Sequence, residues 1–268
     1  MTALDILALD FDGVCCDGMR EYFEASRRTH ARVWPAEPMP AAARFDAFAA
    51  LRPVILSGWE MPVLLRAIEQ GRSAREILEE WERVRGQILA EGPLTGAPLI
   101  AQVGETLDEV RREWIAADPA GWLALHAPYS TVEELRRLVA EPGRTVLVTT
   151  KEGAFARLIL DHWAVRLADV QGKESGAHKC ENLRGLIAAW VAAHGRRPRL
   201  AFVEDRLETL RHVTTHPDLA DVRLFLAAWG YNTAAARATA AADPRIGLLT
   251  LGQFRCGLAA WPPDERPP

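Results

Sequence analysis

The chain opens on a short apolar run, Ile6-Leu7-Ala8-Leu9, that stops at Asp10-Phe11-Asp12-Gly13. An unbroken apolar run ended by acid and glycine predicts a buried strand whose carboxyl end is Asp10 to Gly13. The period then changes. Met19, Tyr22, Phe23, Ser26 and Val33 fall near one helical face, and Pro35 ends that segment. Pro40 opens a second predicted helix carrying Phe45, Phe48 and Leu51, closed before Pro53. Ser57-Gly58-Trp59-Glu60 and Ser73-Ala74-Arg75-Glu76 have capping-box spacing. The first precedes Met61, Leu64, Leu65 and Ile68, and the second Ile77, Leu78, Trp81, Val84 and Ile88. A fifth helix carries Val103, Leu107, Val110 and Trp114. Periodicity and caps carry these assignments.

Beyond residue 130 the pattern alternates. Helices are expected at 130–140, 152–162 and 181–194, and from Thr233. Apolar strands are expected at 145–149, 168–171, 200–203 (ending at Glu204-Asp205), 222–227 and 246–249. Such alternation predicts an α/β fold, a Rossmann-like parallel sheet with helices on both faces. The first strand belongs to that sheet, so the all-helical stretch is an insertion after it. The expected division is a core of residues 1–16 and about 129–268, with a helical domain at about 17–128.

Composition narrows the function. A length of 268 residues suits one core with one insertion, and a formal net charge of −4 argues against broad nucleic-acid binding. The basic run 195–199 falls between a helix and a strand and reads as a solvated loop. No apolar run is long enough to span a bilayer, and no basic region leads an apolar stretch at the start. The cysteines, Cys15, Cys16, Cys180 and Cys256, form no C-x-x-C pair and no Cys/His cluster with zinc spacing. A reduced, cytoplasmic setting is the resulting expectation.

In an open parallel sheet, ligands bind at the carboxyl ends of the strands. There the sequence places Asp10 and Asp12, then Thr149, then Asp205, with Lys173 and Lys179 in the loop before the 181–194 helix. Two carboxylates one residue apart can divide nucleophile and acid–base work, and a third can complete a hard-cation site. A hydroxyl and an ammonium can hold phosphate oxygens. Each residue also has a bland reading: strand-end aspartates cap backbone amides, and loop lysines are solvated. Cys15 and Cys16 lack an identifiable histidine partner and read as small buried residues. Arg52, Trp59 and Glu60 could line a substrate face, though a capping box already explains Glu60 and packing explains Trp59; His178 could bind substrate, and loop polarity explains it equally well.

The arrangement resembles the haloacid dehalogenase-like (HAD) hydrolase superfamily. Asp10-Phe11-Asp12-Gly13-Val14 looks like its first motif, and Val146-Leu147-Val148-Thr149-Thr150-Lys151 like its second. A basic residue before the 181–194 helix looks like the third, and Phe202-Val203-Glu204-Asp205 like the fourth. The helical insertion and Trp229-Gly230-Tyr231 are similar to the helical-capped phosphoglycolate phosphatase-like group. The resemblance implies a Mg2+-dependent phosphatase acting on a small phosphorylated metabolite; charge and apolar run lengths add the expectation of no nucleic-acid or membrane partner. Asp10 would attack phosphorus, and Asp12 would serve as acid and then base. Thr149, Thr150 and Lys179 would hold the phosphoryl group, Lys179 being preferred to Lys173. Metal would bind Asp10, the Asp12 main-chain carbonyl and Asp205.

The family's later acidic position is here Thr209, so Glu204 and Glu208 both remain candidates for the second acidic metal residue. A phosphomutase and a catalytically weak HAD scaffold that binds a partner remain as alternatives. Asp12 counts against a dehalogenase. Substrate and oligomeric state are left open.

Overall fold

The computed structural model describes residues 4–91, 94–176 and 178–263. Residues 1–3 and 264–268, which the sequence assigns to the core, lie outside the described residues. The chain divides into two compact units, Met1–Asp17 with Ala127–Pro268, and Gly18–His126.

The first unit starts with β1 (Ile6–Leu9) and β2 (Cys16–Asp17). The second unit is helical: α1 (Met19–Val33), α2 (Phe45–Leu51), α3 (Glu60–Glu69), α4 (Ala74–Leu89), α5 (Gly96–Ala117) and α6 (Pro119–Leu123). The helix expected from Pro40 begins only at Phe45, after a 3-10 turn at Ala42–Arg44. Ser73 accepts from the Glu76 amide as a true N-cap. Ser57 does not cap α3, whose N-cap is Trp59. Instead buried Glu60 accepts from the Leu56 and Ser57 amides at 2.6 and 2.8 Å and pairs with Arg85. Glu60 thus makes the glutamate half of the expected capping box, while α3 begins at Glu60 itself. Within this unit Glu21 and Arg111 form a buried two-pronged pair at 2.8 and 3.0 Å, joined by the Trp122 indole at 3.3 Å. Removing either charge would strand the other away from water.

The chain returns through β3 (Ala127–Pro128), antiparallel to β2, a short pairing that no periodicity could announce. There follow α7 (Val132–Ala140), β4 (Arg144–Val148), α8 (Gly153–His162), β5 (Asp169–Gln171) and α9 (Lys179–His194). The unit then continues with β6 (Leu200–Glu204), α10 (Leu207–Thr214), β7 (Arg223–Ala227), α11 (Ala234–Ala241), β8 (Ile246–Leu249) and α12 (Leu251–Cys256). Helix α7 opens with a capping box between Thr131 and Glu134, two residues later than expected. Helix α9 starts earlier than expected, because Glu181 accepts from the His178 amide at 3.3 Å and winds Lys179 into the first turn.

Among the described residues the main sheet runs β5-β4-β1-β6-β7-β8, all parallel. The chain builds outward from β1 to β5, then crosses back to lay β6 on the other side of β1. That reversal opens a crevice at the carboxyl ends of β1, β4 and β6. Strand β1 is buried on both faces. Ile6, Ala8, Val146, Val148 and Phe202 pack on one face with Cys180, Leu183, Leu186 and Ile187 of α9. Alternate residues of each strand face the other layer, as the period of two requires.

At the opposite end, buried Asp5 accepts from the Arg199 amide at 2.8 Å and from both guanidinium groups of Arg196 and Arg199. Two arginines of the basic run thus serve the fold, and the run is not merely solvated. Arg196 first, then Arg199, hold the Asp5 carboxyl well below the usual carboxylate range. Asp5→Asn should lower stability at neutral pH by about 1–2 kcal/mol, the arginines being half exposed and screened. Because the folded-state pKa is depressed, the contribution exists above the unfolded value and fades as pH falls below it. Urea midpoints of the two proteins should therefore separate at pH 7 and converge towards pH 3; a constant gap would contradict the assignment.

Candidate active site

Asp10 continues β1, its amide donating to the Val203 carbonyl at 2.9 Å. The loop then folds tightly back. The Cys15 and Cys16 amides donate to the Phe11 carbonyl, each at 2.9 Å, and Gly13 adopts a φ of +86°. A side chain at Gly13 would be strained in backbone and would meet Asp205 Oδ2 at 2.1 Å. Gly230 approaches from the other side, where a Cβ would lie 2.3 Å from that of Asp205. The Tyr231 amide donates to Asp205 Oδ2 at 2.7 Å, and Asn232 Nδ2 to the Asp205 carbonyl at 3.0 Å. Trp229 Nε1 donates to the Val14 carbonyl at 3.1 Å. Residues 229–232 therefore fasten the first loop and the end of β6 together.

The strand ends collect charge. Asp10, Glu204 and Asp205 are buried, and one carboxylate oxygen from each lies within 4.8 Å of the others. The Lys179 ammonium sits 3.1 Å from Asp10 Oδ1 and 2.5 Å from Glu204 Oε2. Glu204 Oε1 accepts from the Asp205 and Arg206 amides, each at 3.0 Å, which fixes the turn into α10. Beside this cluster Lys151 Nζ lies 3.4 Å from Asp12 Oδ1. Burial pushes the Asp10 carboxyl up to about 7, with Lys179 opposing. Burial also raises Glu204, again against Lys179. Burial alone would lower Lys179, but Asp10 and Glu204 outweigh it and hold its pKa above the ordinary range.

The other sequence-derived candidates separate. Thr149 is buried at the end of β4, its amide donating to the Gln171 carbonyl at 3.0 Å, and its hydroxyl oxygen accepts from the Lys151 amide at 3.1 Å. Thr150 is exposed beside it. Lys173 is exposed in the turn Lys173–Ser175, whereas Lys179 faces Asp10. Both line a cavity of about 430 Å³ together with Thr149, Thr150 and Thr209. Glu208 is exposed and pairs with Arg206, so Glu204 is the glutamate in the acidic cluster. The Asp12 carboxylate faces Lys151 and is not part of that cluster. Cys15 and Cys16 are buried, and burial first, then the aspartates, pushes both thiols up, away from thiolate chemistry. Sequence reasoning named Lys151 and Tyr231 only within motifs and gave neither a role. Lys151 had a signal, a cation two residues past a strand-end threonine; Tyr231 contributes through its amide, which no side-chain pattern reveals.

The donors present fit a hard divalent cation. Four carboxylates (Asp10, Asp12, Glu204 and Asp205) face two ammonium groups, those of Lys151 and Lys179. A deficit of about two charges in a mostly buried site, with an all-oxygen donor set, suits magnesium or calcium better than a thiophilic ion. One test needs no turnover. With the folded pKa of Asp10 raised to about 7, the metal-free protein loses stability as pH climbs from the ordinary carboxylate value through 7. Asp10→Asn should come nearest to wild type at about pH 4 and gain on it by about 1–3 kcal/mol by pH 8 in chelator. Unfolding midpoints check this; a variant less stable than wild type at pH 8 would refute it.

No family model matches the chain, and no curated protein matches it. Solved structures do. A candidate phosphoglycolate phosphatase from Lactobacillus delbrueckii subsp. bulgaricus is 12% identical, with 95% of this chain and 98% of that one covered and a TM-score of 0.60. A haloacid dehalogenase-like family protein from Streptococcus pneumoniae is 12% identical, with 88% and 90% covered and a TM-score of 0.52. A haloacid dehalogenase-like candidate hydrolase from Bacteroides fragilis is 18% identical, with 94% and 99% covered and a TM-score of 0.55. Identities this low speak to architecture, and on architecture the agreement spans nearly the whole chain: the protein has the fold of the haloacid dehalogenase-like hydrolases.

Proposed function

We propose that this protein is a magnesium-dependent phosphohydrolase that works on a small phosphorylated metabolite through an aspartyl-phosphate at Asp10. The observation that carries the reading is the Asp10 carboxylate held 3.1 Å from the Lys179 ammonium within a buried acidic cluster at the strand ends. The like-folded phosphatases and hydrolases support it at the level of reaction class.

In the first step an Asp10 oxygen attacks phosphorus, the bond to the leaving oxygen breaks, and Asp12 gives that oxygen a proton. In the second, Asp12 takes a proton from water, the water oxygen attacks phosphorus, and the bond to Asp10 breaks to release phosphate. Lys151 holds the Asp12 carboxylate in place from 3.4 Å. Thr149, Thr150 and Lys179 would hold the phosphoryl oxygens, with Lys179 stabilising their charge. Asp10, the Asp12 main-chain carbonyl, Glu204 and Asp205 would hold magnesium, which when bound neutralises charge on the phosphoryl group. We assign substrate choice to the helical unit, as a cap. A cytoplasmic setting remains part of the proposal.

The test is a magnesium-supplemented turnover screen over phosphorylated metabolites, followed by two alanine variants on the best substrate. Lys179→Ala should lose on the order of a hundredfold or more in kcat, and Lys173→Ala should stay near wild type. The reverse ranking would overturn the lysine assignment, and no turnover on any substrate would favour a binding scaffold.

A further inference from the structure

Outside the acidic cluster, a group of softer ligands meets where α9 lies near α10. Cys180 stands in the first turn of α9 with its thiol buried. His212 lies near the end of α10, and His216 follows four residues later, just before the 3-10 turn Pro217–Leu219. One ligand atom from each of the three lies within 4.8 Å of the others. The two imidazole rings cross at 86°, and their Nε2 atoms are 3.5 Å apart. We propose that Cys180, His212 and His216 form a second metal site, for a zinc-class transition ion.

The chemistry separates this site from the acidic one. A thiolate and two imidazoles are soft and borderline donors, which select zinc, cobalt or copper over magnesium. His216 lies two residues beyond the end of α10, where the chain turns and sets its ring against that of His212. The cavity beside the strand ends is also lined by Cys180, Glu208 and His212, so solvent reaches the position a fourth ligand would take. Water or Glu208, one turn before His212, can fill it.

One feature opposes binding. Arg184 Nη2 donates to His216 Nδ1 at 3.1 Å, which leaves the His216 proton on Nε2, facing His212. Ligation therefore moves two protons. The Cys180 thiol proton goes to solvent as the metal–sulfur bond forms. The His216 Nε2 proton is exchanged through solvent for one on Nδ1 as the metal–nitrogen bond forms, and the Arg184 contact breaks. Arg184 is not stranded, because Asp218 keeps it by contacts of 2.6 and 3.1 Å. Metal uptake that releases protons is the general pattern for thiolate sites. Once occupied, the site ties the helix that begins with Lys179 to the helix that follows Asp205.

Sequence spacing conceals the site, because its cysteine lies far from its histidines along the chain. The experiment is a cobalt titration of the full, reduced, metal-free protein in excess magnesium, which on the proposed function would fill the acidic cluster. One equivalent should bind with the charge-transfer absorption of a cobalt–thiolate bond, and zinc should displace it. Cys180→Ser should abolish the band, and Asp10→Asn should leave it unchanged. The double variant His212→Gln with His216→Gln, on exposed and half-buried positions that should still fold, should weaken cobalt binding by more than about tenfold, the least that losing even a ligand's supporting partner costs. Absence of the band in wild type, its survival in Cys180→Ser, cobalt affinity in the double variant equal to wild type, or loss of the band in Asp10→Asn would each overturn the proposal.

Discussion

Burying several carboxylates around one lysine ammonium is the constraint that the rest of the core answers to. Asp10, Glu204 and Asp205 lie almost out of water, and Lys179 bridges Asp10 and Glu204. Buried charges left without partners are costly enough to shift their pKa or unfold the site. The surrounding architecture supplies the partners: α9 delivers Lys179 in its first turn, Glu204 takes two amides of its own turn, and Asp205 takes the Tyr231 amide. Gly13 and Gly230 leave the space in which Asp205 fits. The middle of the central strands is apolar, with charge gathered at their ends: the acidic cluster at one end, and Asp5 with Arg196 and Arg199 at the other.

Much of this was legible in the chain. The alternation of apolar runs and amphipathic segments beyond residue 130 corresponds to β4 through β8 and the intervening helices, because strands buried on both faces read as unbroken apolar runs. Asp10, Thr149 and Asp205 sit at strand ends, where position along a run is enough to place them. The early start of α9 was less legible: a glutamate reaching back to the His178 amide, not an apolar period, sets that boundary. Ser57 is a half-met capping spacing: Glu60 accepts its amide, but α3 begins at Glu60 with Trp59 as N-cap and no side-chain cap bond.

What spacing could not show are contacts made across the fold. The choice between Lys173 and Lys179, and between Glu204 and Glu208, depends on which side chain turns inward, and the sequence near each pair is permissive. Lys151 reaches Asp12 from beyond the end of β4, and the 229–232 segment reaches Asp205 through the Tyr231 amide and the Asn232 side chain. The grouping of Cys180 with His212 and His216 depends on two helices coming together after separate strands. Local pattern fixes elements; the meeting of distant side chains follows from the sheet order.

The most direct test of the account is to find where phosphate goes. The protein, turning over its best phosphorylated substrate with magnesium, would be quenched in acid, reduced with borohydride and digested. Borohydride converts an acyl-phosphate aspartate to homoserine, which peptide mass spectrometry locates. The account predicts homoserine at position 10 and none in Asp10→Asn. Turnover with the mark on another residue, or an Asp10→Asn protein that still hydrolyses the substrate, would contradict it.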